Sequence, residues 1–241
     1  MVDYYINGLF ADRPTAGVQG RLYIPTDWEG VGYYDDGAAW NIVLPDGKII
    51  PEFTSDGMTT TFNVSGGASY GTVQGFKRLT ESGTGTLRGR YKTVTPGTTL
   101  TLTMCARMHL FPGSDKILWG FFLSRASDDH TFSFCLQHDG GLYHAGIYYT
   151  DLATYNSTPY SIGVVNGVNY INCWYKLIWT YATNLADFYI SVDGTNYVKT
   201  ASVTVSNISG VDRAGFTINR YLTTQNSNIP MDIYYFDATV T

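Results

Sequence analysis

Apolar and polar positions alternate with a period of two along much of this chain, the signature of strands with one face buried and the other in water. The pattern recurs over residues 98–110, 117–124, 131–137, 143–149, 174–181, 187–192, 214–218 and 231–240, all rich in β-branched and aromatic side chains. Such residues fit a pleated, half-buried surface, so each run reads as a strand. No stretch keeps apolar residues at i, i+3, i+4 and i+7 for more than about two turns, and helix is expected to be nearly absent. Between the runs stand Asp36-Gly37, Asp46-Gly47, Asp56-Gly57, Asp139-Gly140 and Asp193-Gly194, pairs that supply the φ > 0 positions of tight turns. Strands joined this way pair antiparallel, and this many must curl into two packed sheets or a barrel.

The pattern breaks between residues 45 and 60, where Leu44-Pro45-Asp46-Gly47 and Ile50-Pro51-Glu52 precede a β tract beginning at Thr59. This predicts an N-terminal segment of residues 1–57 and a larger domain of residues 58–241. Residues 64–85 are rich in Gly, Ser and Thr, yet Tyr70, Val73, Phe76 and Leu79 punctuate them with burial candidates. They read as edge strands and loops rather than a flexible linker.

Composition narrows the classes of partner. A chain of 241 residues can bury a core without disulfides. Its net charge of −5, with Lys and Arg scattered rather than gathered in patches, argues against the phosphate neutralisation that nucleic-acid binding needs. No run approaches the ~18 apolar residues of a membrane span. The N-terminus lacks a basic region followed by an apolar one, so no export signal and no membrane insertion are expected. Cys105, Cys135 and Cys173 each sit inside a strand-like run and read as small buried hydrophobes of a reducing cytoplasm.

Catalytic patterns are sparse. There is no Gly-x-Ser-x-Gly elbow. His109, His130, His138 and His144 include no pair at the i, i+2 spacing that would put two ligands on one strand face. Glu29, Glu52 and Glu81 are the only glutamates. The expectation is a protein that is not an enzyme and carries no cofactor.

Residues 8–43 contain Arg13-Pro14, Ala16-Gly17, Gly20-Arg21-Leu22-Tyr23, Thr26-Asp27, Tyr34-Asp35-Asp36-Gly37 and Trp40. In this order they resemble a short module of bacteriophage structural proteins. The resemblance implies an attachment or trimerisation element, with Arg13, Pro14, Arg21, Tyr23, Tyr34 and Trp40 as its candidate residues. Two short strands at 21–24 and 32–35, with a third from Trp40, cannot by themselves bury Leu22, Tyr23, Tyr34 and Trp40. A partner surface is therefore expected: sister chains, a virion protein, or the protein's own larger domain, on which the segment would lie as a ribbon.

From residue 59 onward the layout is similar to a concanavalin A-like (laminin-G-like) jelly roll. The carrying features are Leu87-Arg88-Gly89-Arg90-Tyr91, Gly120-Phe121-Phe122-Leu123, Trp174-Tyr175-Lys176-Leu177, Val192-Asp193-Gly194 and Met231-Asp232-Ile233-Tyr234-Tyr235-Phe236. The resemblance implies an all-β, antiparallel jelly-roll β-sandwich. Glycoside hydrolases of that fold carry Glu-x-Asp-x-x-Glu on a concave strand, and this chain has no such motif. Some lectins of the fold use calcium, for which Ser127, Asp128, Asp129 and Asp139 offer oxygen ligands; solvated turn chemistry is the preferred reading of that loop. Aromatic and amide side chains that could stack on and orient sugars gather at Tyr148, Tyr149, Asp151, Tyr155, Asn156 and Tyr160, and again at Arg220 and Tyr221. Core or interface packing accounts for these tyrosines equally well.

Together these readings lead to the expectation of a bacteriophage virion structural protein, a capsid fibre or decoration or a tail appendage. It would be a homotrimer made in the host cytoplasm, contacting other virion proteins and displaying a jelly roll toward host-surface glycans. The alternative is a lectin-like module without a virion role.

Overall fold

The structure is a computed structural model. It describes residues 4–27, 31–44, 47–53, 57–58, 60–62, 69–81, 87–109, 116–126, 131–139, 142–150, 160–161, 170–205, 208–221 and 229–241. For strand residues 4, 60–62, 69, 81, 87–88, 108–109, 116–118, 131–139, 142–150, 160–161, 170–173, 219–221 and 229 it describes the backbone alone. The described residues form strands and one short 3-10 turn, Phe10–Asp12.

The chain divides into two compact units, Met1–Thr54 with Thr72–Lys77, and Ser55–Gly71 with Arg78–Thr241. The first differs from a single cut after residue 57 by including the tip of a later hairpin. It holds a five-stranded sheet in sequence order: β1 (Tyr4–Gly8), β2 (Arg21–Pro25), β3 (Gly32–Asp35), β4 (Trp40–Val43) and β5 (Ile49–Pro51). β1 runs parallel to β2 while the other neighbours are antiparallel. A parallel neighbour needs a crossover of about a dozen residues, and residues 9–20 supply it. The turns at Gly37 (φ +94) and Gly47 (φ +81) take the left-handed backbone expected of the two Asp-Gly pairs.

The second unit is an antiparallel jelly-roll β-sandwich. Its remaining strands are β6 (Thr60–Phe62), β7 (Ser69–Val73), β8 (Phe76–Glu81), β9 (Leu87–Thr93), β10 (Thr99–His109), β11 (Lys116–Ser124), β12 (Thr131–Asp139), β13 (Leu142–Thr150), β14 (Tyr160–Ser161), β15 (Tyr170–Thr180), β16 (Leu185–Ser191), β17 (Val198–Thr204), β18 (Arg213–Tyr221) and β19 (Ile229–Val240). Among the described residues, one sheet runs β17-β16-β15-β10-β19-β8-β7 and the other β14-β13-β12-β11-β18-β9-β6. Two-residue periodicity explains the core. In β10, Leu100, Leu102 and Met104 are fully buried while Thr99, Thr101 and Thr103 are not. Phe121 of the second sheet packs against Phe188 and Phe236 of the first, and Phe216 lies edge-on to Phe236 at 5.3 Å. Burial of each such ring stabilises by roughly 1.5–3 kcal/mol. Cys105 is a buried thiol outside any disulfide, in keeping with its place in a strand-like run; the side chains of Cys135 and Cys173 lie outside the described ones.

Candidate functional site

In the N-terminal unit, the crossover residues 9–20 fold over one face of the sheet. The Arg13 guanidinium lies 4.6 Å from the ring centres of Phe10 and Tyr33 and 5.4 Å from that of Trp40, and its Nη1 donates to Glu52 at 2.6 Å. Pro14 offers its carbonyl to Trp40 Nε1 at 2.7 Å, and Thr15 offers its own to Arg21 Nη2 at 2.7 Å. Tyr23, fully buried, donates its hydroxyl to the Leu9 carbonyl at 2.5 Å. Burial, then the charges of Asp12 and Asp27, hold the Tyr23 phenol above its ordinary pKa.

Asp35 is the electrostatic centre of this face. Its fully buried carboxylate accepts from Arg21 Nε at 2.9 Å and Nη2, and from the amides of Gly17, Val18 and Gly37. Burial alone would raise its pKa, but the Arg21 and amide hydrogen bonds outweigh it and hold the carboxyl at about 2. Asp36 caps the hairpin by accepting from the Ala38 and Ala39 amides, which lower its pKa. The hairpin tip at Gln74-Gly75 closes the unit: Tyr33 donates its hydroxyl to the Gln74 carbonyl, and Phe53 its amide to the Gly75 carbonyl.

Tyr23 and Trp40 are buried within this unit, because β1, β5, the crossover and the hairpin tip, the last from the stretch assigned by sequence to the larger domain, are added to the three expected strands, while Leu22 and Tyr34 are only half-buried. Arg13, Pro14, Arg21, Tyr23 and Trp40 all work in that closed face. Tyr34 does not.

Tyr34 belongs to the other face, whose register rows run Tyr5, Leu22, Tyr34, Asn41, Pro51 and then Gly32, Val43, Ile49, with Asn7 paired to Ile24. Ile24 joins it, because a Cβ at Gly32 would stand 2.9 Å from Ile24 Cδ1. Leu22, Ile24, Tyr34 and Val43 are half-buried, while Tyr5 is 57% and Ile49 49% exposed. The face is largely apolar, interrupted by Asn7 and Asn41, and partly exposed. Sequence reasoning named Leu22 and Tyr34 of it and missed the rest; the signal was present in strands apolar at both parities, Leu22-Tyr23-Ile24 and Ile42-Val43-Leu44, which mark a sheet with two apolar faces.

The described glycan candidates of the sandwich fall in one sheet but not at one place. Tyr148 pairs with Ser133, in the row of Phe122, and Tyr149 with Phe132, in the row of the buried Leu123 and Ala214. Tyr160 pairs with Ala145, in the row of the buried Trp119 and Ile218. Arg220 and Tyr221 pair with Ile117 and Lys116. Six residues of β11 separate Lys116 from Phe122, which puts the two groups about 20 Å apart along the strands and three strands apart across them. Asp151, Tyr155 and Asn156 lie outside the described residues, as do Ser127, Asp128 and Asp129 of the calcium reading; Asp139 ends β12. Among the described residues no cluster of three or more His, Cys, Asp or Glu could hold a metal ion, and no helix is long and apolar enough to cross a membrane.

No protein-family model and no curated protein matches this chain. Solved structures do. A protein of Saccharomyces cerevisiae described as functionally unknown is similar over 78% of this chain and 99% of its own, at 12% identity and a TM-score of 0.55. The GH43 protein BlXynB of Bacillus licheniformis is similar over 91% of this chain at 11% identity and a TM-score of 0.52, and the chain spans 52% of that protein's length. A lectin of Bauhinia forficata in complex with GalNAc is similar at 12% identity over 79% of this chain and 96% of its own, with a TM-score of 0.49. At these identities the likeness concerns the fold alone.

Proposed function

We propose that the protein is a bacteriophage virion structural component, a capsid fibre or decoration or a tail appendage. Its N-terminal sheet joins three copies and docks them on the particle, and its jelly roll is displayed to recognise host-surface glycans without cleaving them. The observation that carries this reading is the partly exposed face of Tyr5, Leu22, Ile24, Tyr34, Val43 and Ile49 on a unit that has already built its core on the opposite face. A largely apolar patch of this kind on a small sheet is characteristic of an interaction surface. Support for the phage setting comes from the N-terminal residue pattern, whose Arg13, Arg21, Asp35, Asp36 and Trp40 interlock to rigidify that unit.

The test is the native mass of the full chain by light scattering at micromolar concentration, together with gradient-purified phage particles probed for the chain. A trimer that also co-purifies with particles supports the reading. A monomer absent from particles overturns it and leaves a free lectin-like module.

A further inference from the structure

The sheet β17-β16-β15-β10-β19 turns one face to the sandwich core, through Met104, Tyr175, Phe188 and Phe236. On its other face a register row runs Asp237, Thr103, Lys176, Tyr189 and on to the exposed Lys199, with Tyr235 in the adjacent row. Asp237, Thr103, Lys176, Tyr189 and Tyr235 are half-buried. The Lys176 ammonium lies 3.6 Å from the ring centre of Tyr197 and 5.9 Å from that of Tyr189.

Tyr197 reaches Lys176 from the connection between β16 and β17, and that connection is built rigidly. Asp193 accepts from the Thr195 and Asn196 amides at 2.9 and 2.8 Å, from Asn196 Nδ2 at 2.7 Å and from Ser191 Oγ at 2.8 Å. Gly194, at φ +67, lies so close to the Trp174 indole that a Cβ would stand 2.7 Å from it. Trp174 in turn packs on Tyr235 at 5.6 Å between ring centres. The aromatic groups are therefore ordered before any ligand arrives, which lowers the entropy cost of binding.

We infer that this face is the carbohydrate-contacting surface of the protein, taking pyranose units of a host-surface polysaccharide; the inference rests on the glycan reading above and locates it. Tyrosine rings pack on the C–H face of a sugar, while Lys176, Asp237 and Thr103 supply a cationic donor, an acceptor and a hydroxyl that serves as both. The row continues to Lys199, which pairs with Asp187 at 2.6 Å, and this balance of cations and carboxylates suits a hydroxyl-rich ligand better than a polyanion such as nucleic acid. The small number of aliphatic side chains on these rows disfavours a protein partner.

The test is an array of immobilised bacterial capsular and lipopolysaccharide glycans probed with the full chain. It is followed by titration of the strongest binder against Tyr189→Ala, Tyr197→Ala, Tyr189→Phe and, on the other sheet, Tyr148→Ala and Tyr221→Ala. Thermal melting of each variant reports its fold. The inference expects the two Ala variants at 189 and 197 each to weaken binding by about tenfold or more at unchanged melting temperature. Tyr189→Phe, which keeps the ring, should retain most of the affinity, and Tyr148→Ala and Tyr221→Ala should bind as wild type. Loss confined to the Tyr148 or Tyr221 variants overturns the location and leaves the glycan reading standing. Absence of any array signal from the wild-type chain overturns both.

Discussion

The single residue on which the N-terminal unit most depends is Asp35, a buried carboxylate whose oxygens are filled by one guanidinium and three backbone amides. Removing its cation leaves an uncompensated buried charge, so Arg21→Ala is expected to cost about 3–5 kcal/mol, read as a fall in the melting temperature of this unit. The same site fixes an acid response. The folded carboxyl titrates at about 2, below its ordinary 3.8, so folding favours the ionised form. That contribution is complete above the unfolded value and is lost as pH falls from about 4 to about 2. The protection of the Gly17 and Val18 amides against hydrogen exchange, relative to their intrinsic rates at each pH, should fall across that window in the wild type. In the Asp35→Asn variant, exchange at these amides should already be fast at neutral pH; protection that persists there and does not change with pH would contradict the assignment.

At the scale of elements, the turn at Asp193-Gly194 ties a strand connection to the sheet beneath it. Gly194→Ala meets two obstacles, a left-handed backbone costing about 1–2 kcal/mol for a residue with a Cβ, and the Trp174 indole. The variant should melt lower than wild type, and Trp174→Ala in the same chain should recover the steric share but not the backbone share. This is also where the legibility of the sequence is clearest. The long strands β10, β11 and β19 are visible because β-branched and aromatic residues alternate in them, and the turns at Gly37, Gly47 and Gly194 because Asp-Gly pairs announce positive φ. β1 is not visible: a parallel edge strand of Tyr-Tyr-Ile-Asn-Gly carries no hairpin signal, and only its pairing with β2 defines it. The β7–β8 turn at Gln74-Gly75 escapes as well, because Gln74 adopts φ +48 without being one of the usual turn residues. β17 hides behind Lys199, Ser202 and Thr204, whose polarity reflects an edge strand half in water.

For the whole molecule, the same limit applies to function. The motif residues of the N-terminus are recognisable, and most of their visible work is to close one face of a small sheet; the opposite face takes only Leu22 and Tyr34 from the motif, and its other apolar members, Tyr5, Ile24, Val43 and Ile49, have no motif character, since apolar area and shape alone make such a face. In the sandwich, the tyrosines that composition singles out are spread across about 20 Å of one sheet, whereas Tyr189, Tyr197 and Lys176 come together only through strand register and a loop. Register is not written in local sequence. If the partly exposed N-terminal face assembles the chain, as proposed, sedimentation equilibrium gives a trimer for the wild type and a monomer for a Tyr34→Lys, Ile49→Lys double variant, with an unchanged melting curve of the sandwich. A variant that sediments with the same mass as wild type rules out assembly through this face.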